Sequence, residues 1–260
     1  MKKKVLLIDG DILAYKIATA NEVSTHWGDG FWTLHCDEIQ CKHEVAAKIE
    51  DLGQSLQADD YVVALTDKNN FRKDVLPSYK DNRKQRRKPM VLNALRDYIM
   101  KKHNGVMWKN LEADDVMGIM ATEPHPTEDR IIVSIDKDMR QIPGKLYNLE
   151  DTTTITPEEG AKWHLIQTLA GDQTDGYSGV PGIGVKRAET LFNKEGYNWA
   201  TVVKAFEDKG LTEEDALLNA RLARILTIED YDTEKNEPKL WTPEATYTIN
   251  DGTGLQDESD

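Results

Sequence analysis

The chain has 260 residues, enough for one large domain or a main domain with a smaller one attached. Its composition, 39% hydrophobic and 30% charged, is that of an ordinary globular protein able to bury a core, with 46 acids against 33 bases and a net charge of −13. No apolar run approaches the ~20 residues that cross a bilayer, the apolar stretch Val5–Ile8 is too short for a signal-peptide core, and two cysteines cannot form a disulfide framework, so a reducing cytoplasm is expected.

In chain order, VLLIDGD (5–11) runs through aliphatic residues and ends in aspartate, the pattern of a strand in a parallel sheet covered on both faces. A hairpin is expected around Gly28-Asp29-Gly30, then a helix from about Asp37 to Leu56, whose Ile39, Ala46, Ile49, Leu52 and Leu56 recur at three- and four-residue steps. YVVALTD (61–67) repeats the strand design. A helix over about Pro89–Lys102 and a short strand at Gly105–Trp108 follow, and RIIVSIDKD (130–138) is the third strand ending in acids. This alternation predicts an α/β domain over 1–154. Thr156-Pro157-Glu158-Glu159 is a capping box. It opens a helical part over 155–228, with further helices at Val185–Asn193, Asn198–Asp208 and Thr212–Thr227. Residues 229–260 form an acidic extension with ten acids against two lysines, read as a solvated or disordered end.

Charge is strongly segregated. Tyr79–Asn110 carries ten basic residues, Lys80, Arg83, Lys84, Arg86, Arg87, Lys88, Arg96, Lys101, Lys102 and Lys109, against Asp81 and Asp97. Such a stretch attracts polyanions, although a solvated basic helix face would read the same way. Parallel sheets bind ligands beyond the carboxyl ends of their strands. Asp9, Asp67, Asp136 and Asp138 should therefore meet at one rim, joined by Glu112, Asp114 and Asp115 before an apolar helix and by Asp172 and Asp175 after the capped one. Carboxylates packed so closely hold protons or a cation. All-oxygen donors favour Mg²⁺ or Mn²⁺, and the number of acids suggests two ions. Any single acid could equally be a turn or cap residue. Asp9-Gly10-Asp11 alone also resembles the DxD of haloacid-dehalogenase-like phosphatases. Gly179–Ala188 is a compact glycine turn opening a helix. Gly182 and Gly184 let the backbone approach a phosphate, and Lys186 and Arg187 add charge. His35, Cys36, Cys41 and His43 match no familiar zinc spacing.

Together LLIDGD (6–11), Asp67 with Phe71-Arg72, LPSYKDNR (76–83), LEADD (111–115), SIDKD (134–138) and GDQTDGYSGVPGIGVKRA (171–188) resemble the 5′-nuclease superfamily. That group holds flap endonucleases, the 5′-nuclease domain of bacterial DNA polymerase I, and phage 5′→3′ exonucleases. DALLNARLARILTIEDYD (215–232) is most similar to the phage double-strand-specific enzymes. The resemblance implies a PIN-like α/β fold with a mostly parallel sheet, a helical arch at about 79–102, and a C-terminal helix–turn–helix part that grips duplex, with a bound K⁺. It implies a two-metal phosphodiesterase acting on DNA with 5′ ends, flaps or nicks, or on an RNA–DNA hybrid, in the host cytoplasm if the gene is a phage's. One ion would be held by Asp9, Asp67, Glu112 and Asp114. The other would lie near Asp136, Asp138, Asp172 and Asp175, with Asp115 contributing directly or through water. Lys80 and Arg83 would approach the scissile phosphate, Tyr79 would stack on a base or pack beside it, and Arg72, Lys84, Arg86, Arg87, Gly182, Gly184, Lys186 and Arg187 would hold DNA. Asp11 stands where many relatives carry a small neutral residue, and only 28 residues separate Arg83 from Glu112. The competing class is a DNA-binding protein without catalysis on the same scaffold.

Overall fold

The structure is a computed structural model that describes residues 2–243. The chain begins with strand β1 (Lys3–Asp9) and helix α1 (Gly10–Ala20), followed by the hairpin β2 (Val23–Gly28) and β3 (Phe31–His35). Next come α2 (Glu38–Leu56), β4 (Asp60–Ala64), α3 (Arg72–Val75), α4 (Leu92–Lys102), β5 (Gly105–Val106), α5 (Ala113–Thr122) and β6 (Glu128–Val133). After β7 (Gly144–Tyr147) and β8 (Thr152–Ile155) the chain turns helical with α6 (Pro157–Ala170), α7 (Val185–Glu195), α8 (Trp199–Glu207) and α9 (Glu213–Ala223). It ends in the short pair β9 (Tyr231–Asp232) and β10 (Glu237–Pro238).

Six strands form one sheet in the order β5-β4-β1-β6-β7-β8, parallel throughout except for the antiparallel β8. Side chains alternate across a strand. Leu6 and Ile8 of β1 therefore enter a core with α1, α2 and α4, while Leu7 enters a second core with α5. Both faces are thus covered, which is why the strands read as unbroken apolar runs. Register pairs Asp9 with Ala64 of β4 and Ile8 with Val133 of β6, so the chain leaves β1, β4 and β6 at one rim. Gly10 is confined there: a β-carbon would lie 2.7 Å from the Ala64 carbonyl oxygen.

Several expectations need correction. The basic stretch 79–102 is not one arch. Leu95 and Ile99 of α4 are fully buried against the sheet, so their apolar period makes α4 a flanking helix of the core. The exposed basic part is a loop with one 3-10 turn over Asp81–Gln85, together with Lys101 and Lys102 at the end of α4. The expected strand at 105–108 is only two residues long, and β7 and β8 escaped the sequence reading. The last helix stops at Ala223, and residues 224–227 run extended along α5, where a β-carbon on Gly118 would meet the Leu226 carbonyl oxygen at 2.3 Å. The acidic extension is packed at its start, with Tyr231 and Trp241 buried. The rest of it, 244–260, lies outside the described residues.

Helices α6 to α9 enclose a core of their own, including Trp163, Phe192, Val202 and Phe206. The capping box read from the sequence, Thr156 with Glu159, is formed, and Thr212 with Asp215 makes a second one at the start of α9. Among the described residues no helix is long and apolar enough to cross a membrane.

A candidate active site at the carboxyl rim of the sheet

Asp9 ends β1 and caps α1, with Oδ1 accepting from the Ile12 amide at 2.9 Å and Oδ2 from the Ser134 hydroxyl at 2.9 Å. Ser134 follows β6 and was missed in the sequence, where it is only a small residue inside SIDKD. Burial, reinforced by the Asp136 charge, pushes the Asp9 carboxyl up to about 6 against those hydrogen bonds. Asp136 caps the 3-10 turn Lys137–Gln141 through the Asp138 amide. Asp138 is pushed up to about 7 by burial and by Asp136, Asp172 and Asp175, and its Oδ1 is buried with no hydrogen-bond partner. Asp114, in the first turn of α5, is driven well above the usual carboxylate range by burial and by Asp9, Asp136 and Glu112. Asp9, Glu112, Asp114, Asp136, Asp138, Asp172 and Asp175 thus repel one another as one rim-side group.

The opposite charge comes from the loop before α4. Lys80 pairs with Glu112 and lies 3.5 Å from Asp175, and Arg83 pairs with Asp175. Burial works against the Lys80 charge, but Glu112 and Asp175 hold its pKa above the ordinary lysine value. Burial also opposes the Glu112 charge, yet Lys80 and Arg72 bring it down to about 2. Lys80 itself sits at φ 59, a left-handed turn that brings its side chain back onto Glu112. Tyr79 is 2% exposed, so it cannot stack on a base. Its hydroxyl lies 3.1 Å from both Glu112 and Asp175 and serves one at a time.

Two more assignments change. Arg72 is 3% exposed and cannot face DNA. It forms a two-pronged pair with Asp115 at 2.7 and 2.8 Å and reaches Glu112 at 3.2 Å. Asp115, fully buried, is consumed by Arg72 and by the Glu112 and Leu226 amides, so it has no lone pair free for an ion. Asp11 points away to Arg96 and the Thr66 amide. Asp67 lies three residues beyond β4, and its oxygens accept from the Lys68 and Asn110 amides.

The site chemistry fits a hard divalent cation: an all-oxygen donor set, mutual repulsion, and one buried oxygen of Asp138 without a partner. As the side chains stand, no group of three or more among the described residues is closed around one point. Glu112 and Asp175 spend oxygens on Lys80, Arg83 and Tyr79 instead.

Farther out, Lys84 is exposed and pairs with Asp81, and Arg86 is exposed. Arg87 pairs with Glu22 at the foot of the β2–β3 hairpin. In the glycine turn, Gly182 takes φ 81 while Gly184 is an ordinary extended cap of α7. The tightest constraint lies earlier: Gly171 and Gly179 pack backbone to backbone, with a β-carbon on either meeting the other's amide nitrogen at 2.3–2.4 Å. Lys186 is exposed, and Arg187 donates to the Gly182 carbonyl at 2.6 Å.

Residues 4–163 match the family described as 5′-3′ exonuclease, N-terminal resolvase-like domain. The chain belongs to the 5′-3′ exonuclease family. It is 30% identical to the exodeoxyribonuclease of Enterobacteria phage T3, over 94% of each chain, and 30% identical to the exonuclease of Escherichia phage T7, over 93% of this chain and 94% of that one. Its fold is shared with the phage T5 5′-exonuclease bound to divalent metal ions (TM-score 0.66, 18% identity, 85% and 89% of the two chains). It is shared equally with a T5 flap endonuclease in complex with DNA and metal ions (TM-score 0.64, 18% identity, 85% and 89%). For this exonuclease-family chain the fold expectation, a mostly parallel sheet flanked by helices, therefore stands.

Proposed function

We propose that this 5′-3′ exonuclease hydrolyses phosphodiester bonds of duplex DNA from 5′ ends, flaps or nicks. The observation that carries this is the charge arrangement at the rim. Among carboxylates from four separate stretches, Asp9, Asp114, Asp138 and Asp175 are raised by burial and by their acidic neighbours, and two basic side chains from an exposed loop lie directly on the group. A basic loop resting on an acidic rim offers a place for a group that is both anionic and metal-bridged, as a phosphodiester is. The divalent ions and DNA named for the T5 protein are the ligands that this donor set would take.

Two ions, Mg²⁺ or Mn²⁺, would be held by Asp9, Asp67, Glu112 and Asp114 and by Asp136, Asp138, Asp172 and Asp175. When bound they supply Lewis acidity and an activated water for in-line attack. Lys80 and Arg83 leave their carboxylate partners for the phosphate, neutralising charge as it builds on the non-bridging oxygens. Tyr79 donates to Glu112 or to Asp175 in turn, and Ser134 fixes the Asp9 carboxylate. Lys84, Arg86, Lys186 and Arg187 contact backbone phosphates on either side, which positions DNA without reading sequence. K⁺ at the turn 179–184 belongs to the same reading, and exchanging K⁺ for Na⁺ should then weaken duplex binding.

Cleavage of 5′-labelled blunt, nicked, flap and RNA–DNA hybrid substrates with Mg²⁺ is the direct test. Products released from 5′ ends and abolished by EDTA are expected. Binding without cleavage under all these conditions would leave a DNA-binding protein instead.

A further inference from the structure

We infer that Arg72 and Asp115 are a positioning pair that fixes Glu112 and ties it to the segment leaving α9, an inference that rests on the nuclease reading above. Every donor nitrogen of Arg72 is engaged. Nε donates to the Leu222 carbonyl at 3.1 Å, Nη1 to Asp115 at 2.7 Å and to Glu112 at 3.2 Å, and Nη2 to Asp115 at 2.8 Å and to the Arg224 carbonyl. Asp115 in turn accepts from the Glu112 amide at 3.2 Å and the Leu226 amide at 3.1 Å. Glu112 is therefore held twice, by Asp115 at its main chain and by Arg72 at Oε2, which leaves Oε1 aimed at Lys80.

Stability is a weak reason for such a pair. Buried ion pairs seldom outperform apolar residues of similar volume, because desolvation of both charges offsets their attraction. Specific geometry is what the planar fork supplies. A guanidinium engages a carboxylate through two parallel bonds and still has nitrogens left for neighbours at fixed angles. Here those neighbours are a rim carboxylate on one side and main-chain carbonyls of residues 222 and 224 on the other. The helical part and the sheet rim thus meet in one rigid group. Without it, the Glu112 carboxylate would lose its guanidinium partner and keep Tyr79, Lys80 and its cap on the first turn of α5, with more freedom to swing on its own torsions.

The test uses the full chain with Arg72→Met and Asp115→Leu combined, a swap that removes both charges together and so avoids an orphaned ion in the core. Circular dichroism should match the parent, with Tm somewhat lower because the Leu222 and Arg224 carbonyls and the Glu112 and Leu226 amides lose their partners. Turnover should fall about 10–100-fold, as for loss of a residue that orients a ligand, with duplex affinity in EDTA unchanged. The affinity for Mn²⁺ alone, measured by titration calorimetry without DNA, should fall over the same range. In a Glu112→Gln background the double replacement should cost nothing further, because its effect runs through Glu112. Arg72→Lys, which keeps charge but not the fork, should fail to restore turnover. Parent-like turnover and Mn²⁺ affinity in the folded double variant would overturn the inference. So would a turnover loss matched by weaker duplex binding. A parent that neither binds Mn²⁺ nor cleaves DNA would instead defeat the nuclease reading itself.

Discussion

Asp9 and Asp138 tie the stability of the fold to pH. An acid whose folded pKa is raised binds its proton more tightly folded than unfolded. Its stabilising contribution is complete below the ordinary carboxylate value near 4 and disappears as pH rises through about 6 for Asp9 and about 7 for Asp138. In EDTA, Tm should therefore drop between about pH 5 and pH 8. Mg²⁺ should raise Tm more at the upper end, where the ionised carboxylates repel and no proton competes. Thermal melts at both pH values with and without Mg²⁺ check this, and an equal Mg²⁺ shift at both would count against it. Asp136 bears electrostatically on both acids. Asp136→Ala should end cleavage while leaving the duplex Kd in EDTA close to the parent's, since binding rests on bases elsewhere. The single replacement Arg72→Ala should destabilise by about 3–5 kcal/mol in denaturant unfolding, because it leaves Asp115 charged, buried and unpaired.

At the level of elements, the strands were legible because covered parallel strands need apolar side chains on both faces. The capped helices were legible because Thr156 and Thr212 must satisfy amide groups that helix geometry leaves open. The acids at the rim follow from those two facts, since strand ends and helix starts fix where Asp9, Asp136 and Asp114 emerge. What stayed hidden is direction. Asp114 and Asp115 are adjacent, and one residue step turns a helix by about 100°, so LEADD cannot say that one acid faces the rim and the other the interior. For Arg72 and Tyr79 the sequence shows an arginine and a tyrosine beside a basic run. Only α9 and the strand-like stretch behind it decide that both are covered. α4 misled for the opposite reason: its lysines on one face concealed the buried Leu95 and Ile99 on the other. Helix α7 offers a test at this scale. Lys186→Ala should weaken duplex binding and lower the slope of log affinity against log salt by about one phosphate contact, read by fluorescence anisotropy over a salt series. An unchanged slope would mean that Lys186 faces bulk water.

Across the whole molecule, charge of one sign is concentrated at the rim and the acidic extension, while the bases sit on a loop and a turn at its margins. On the proposed reading, DNA held by those margins would cross the acidic rim, so cation binding and DNA binding should reinforce each other. Beside them stands an unusual surface: Trp27, Phe31 and Trp32 of the hairpin are exposed, with Trp32 stacked on His26 at 4.4 Å.

The wiring through Arg72 also has a temporal meaning. Two of the groups that fill the guanidinium fork belong to residues 222 and 224, far later in the sequence than the acids they help to seat. A polypeptide still emerging from the ribosome would already display Asp9, Glu112 and Asp136, yet would lack the last fasteners for Glu112. The arrangement that seats Glu112 is therefore complete only after residues 222 and 224 have been added.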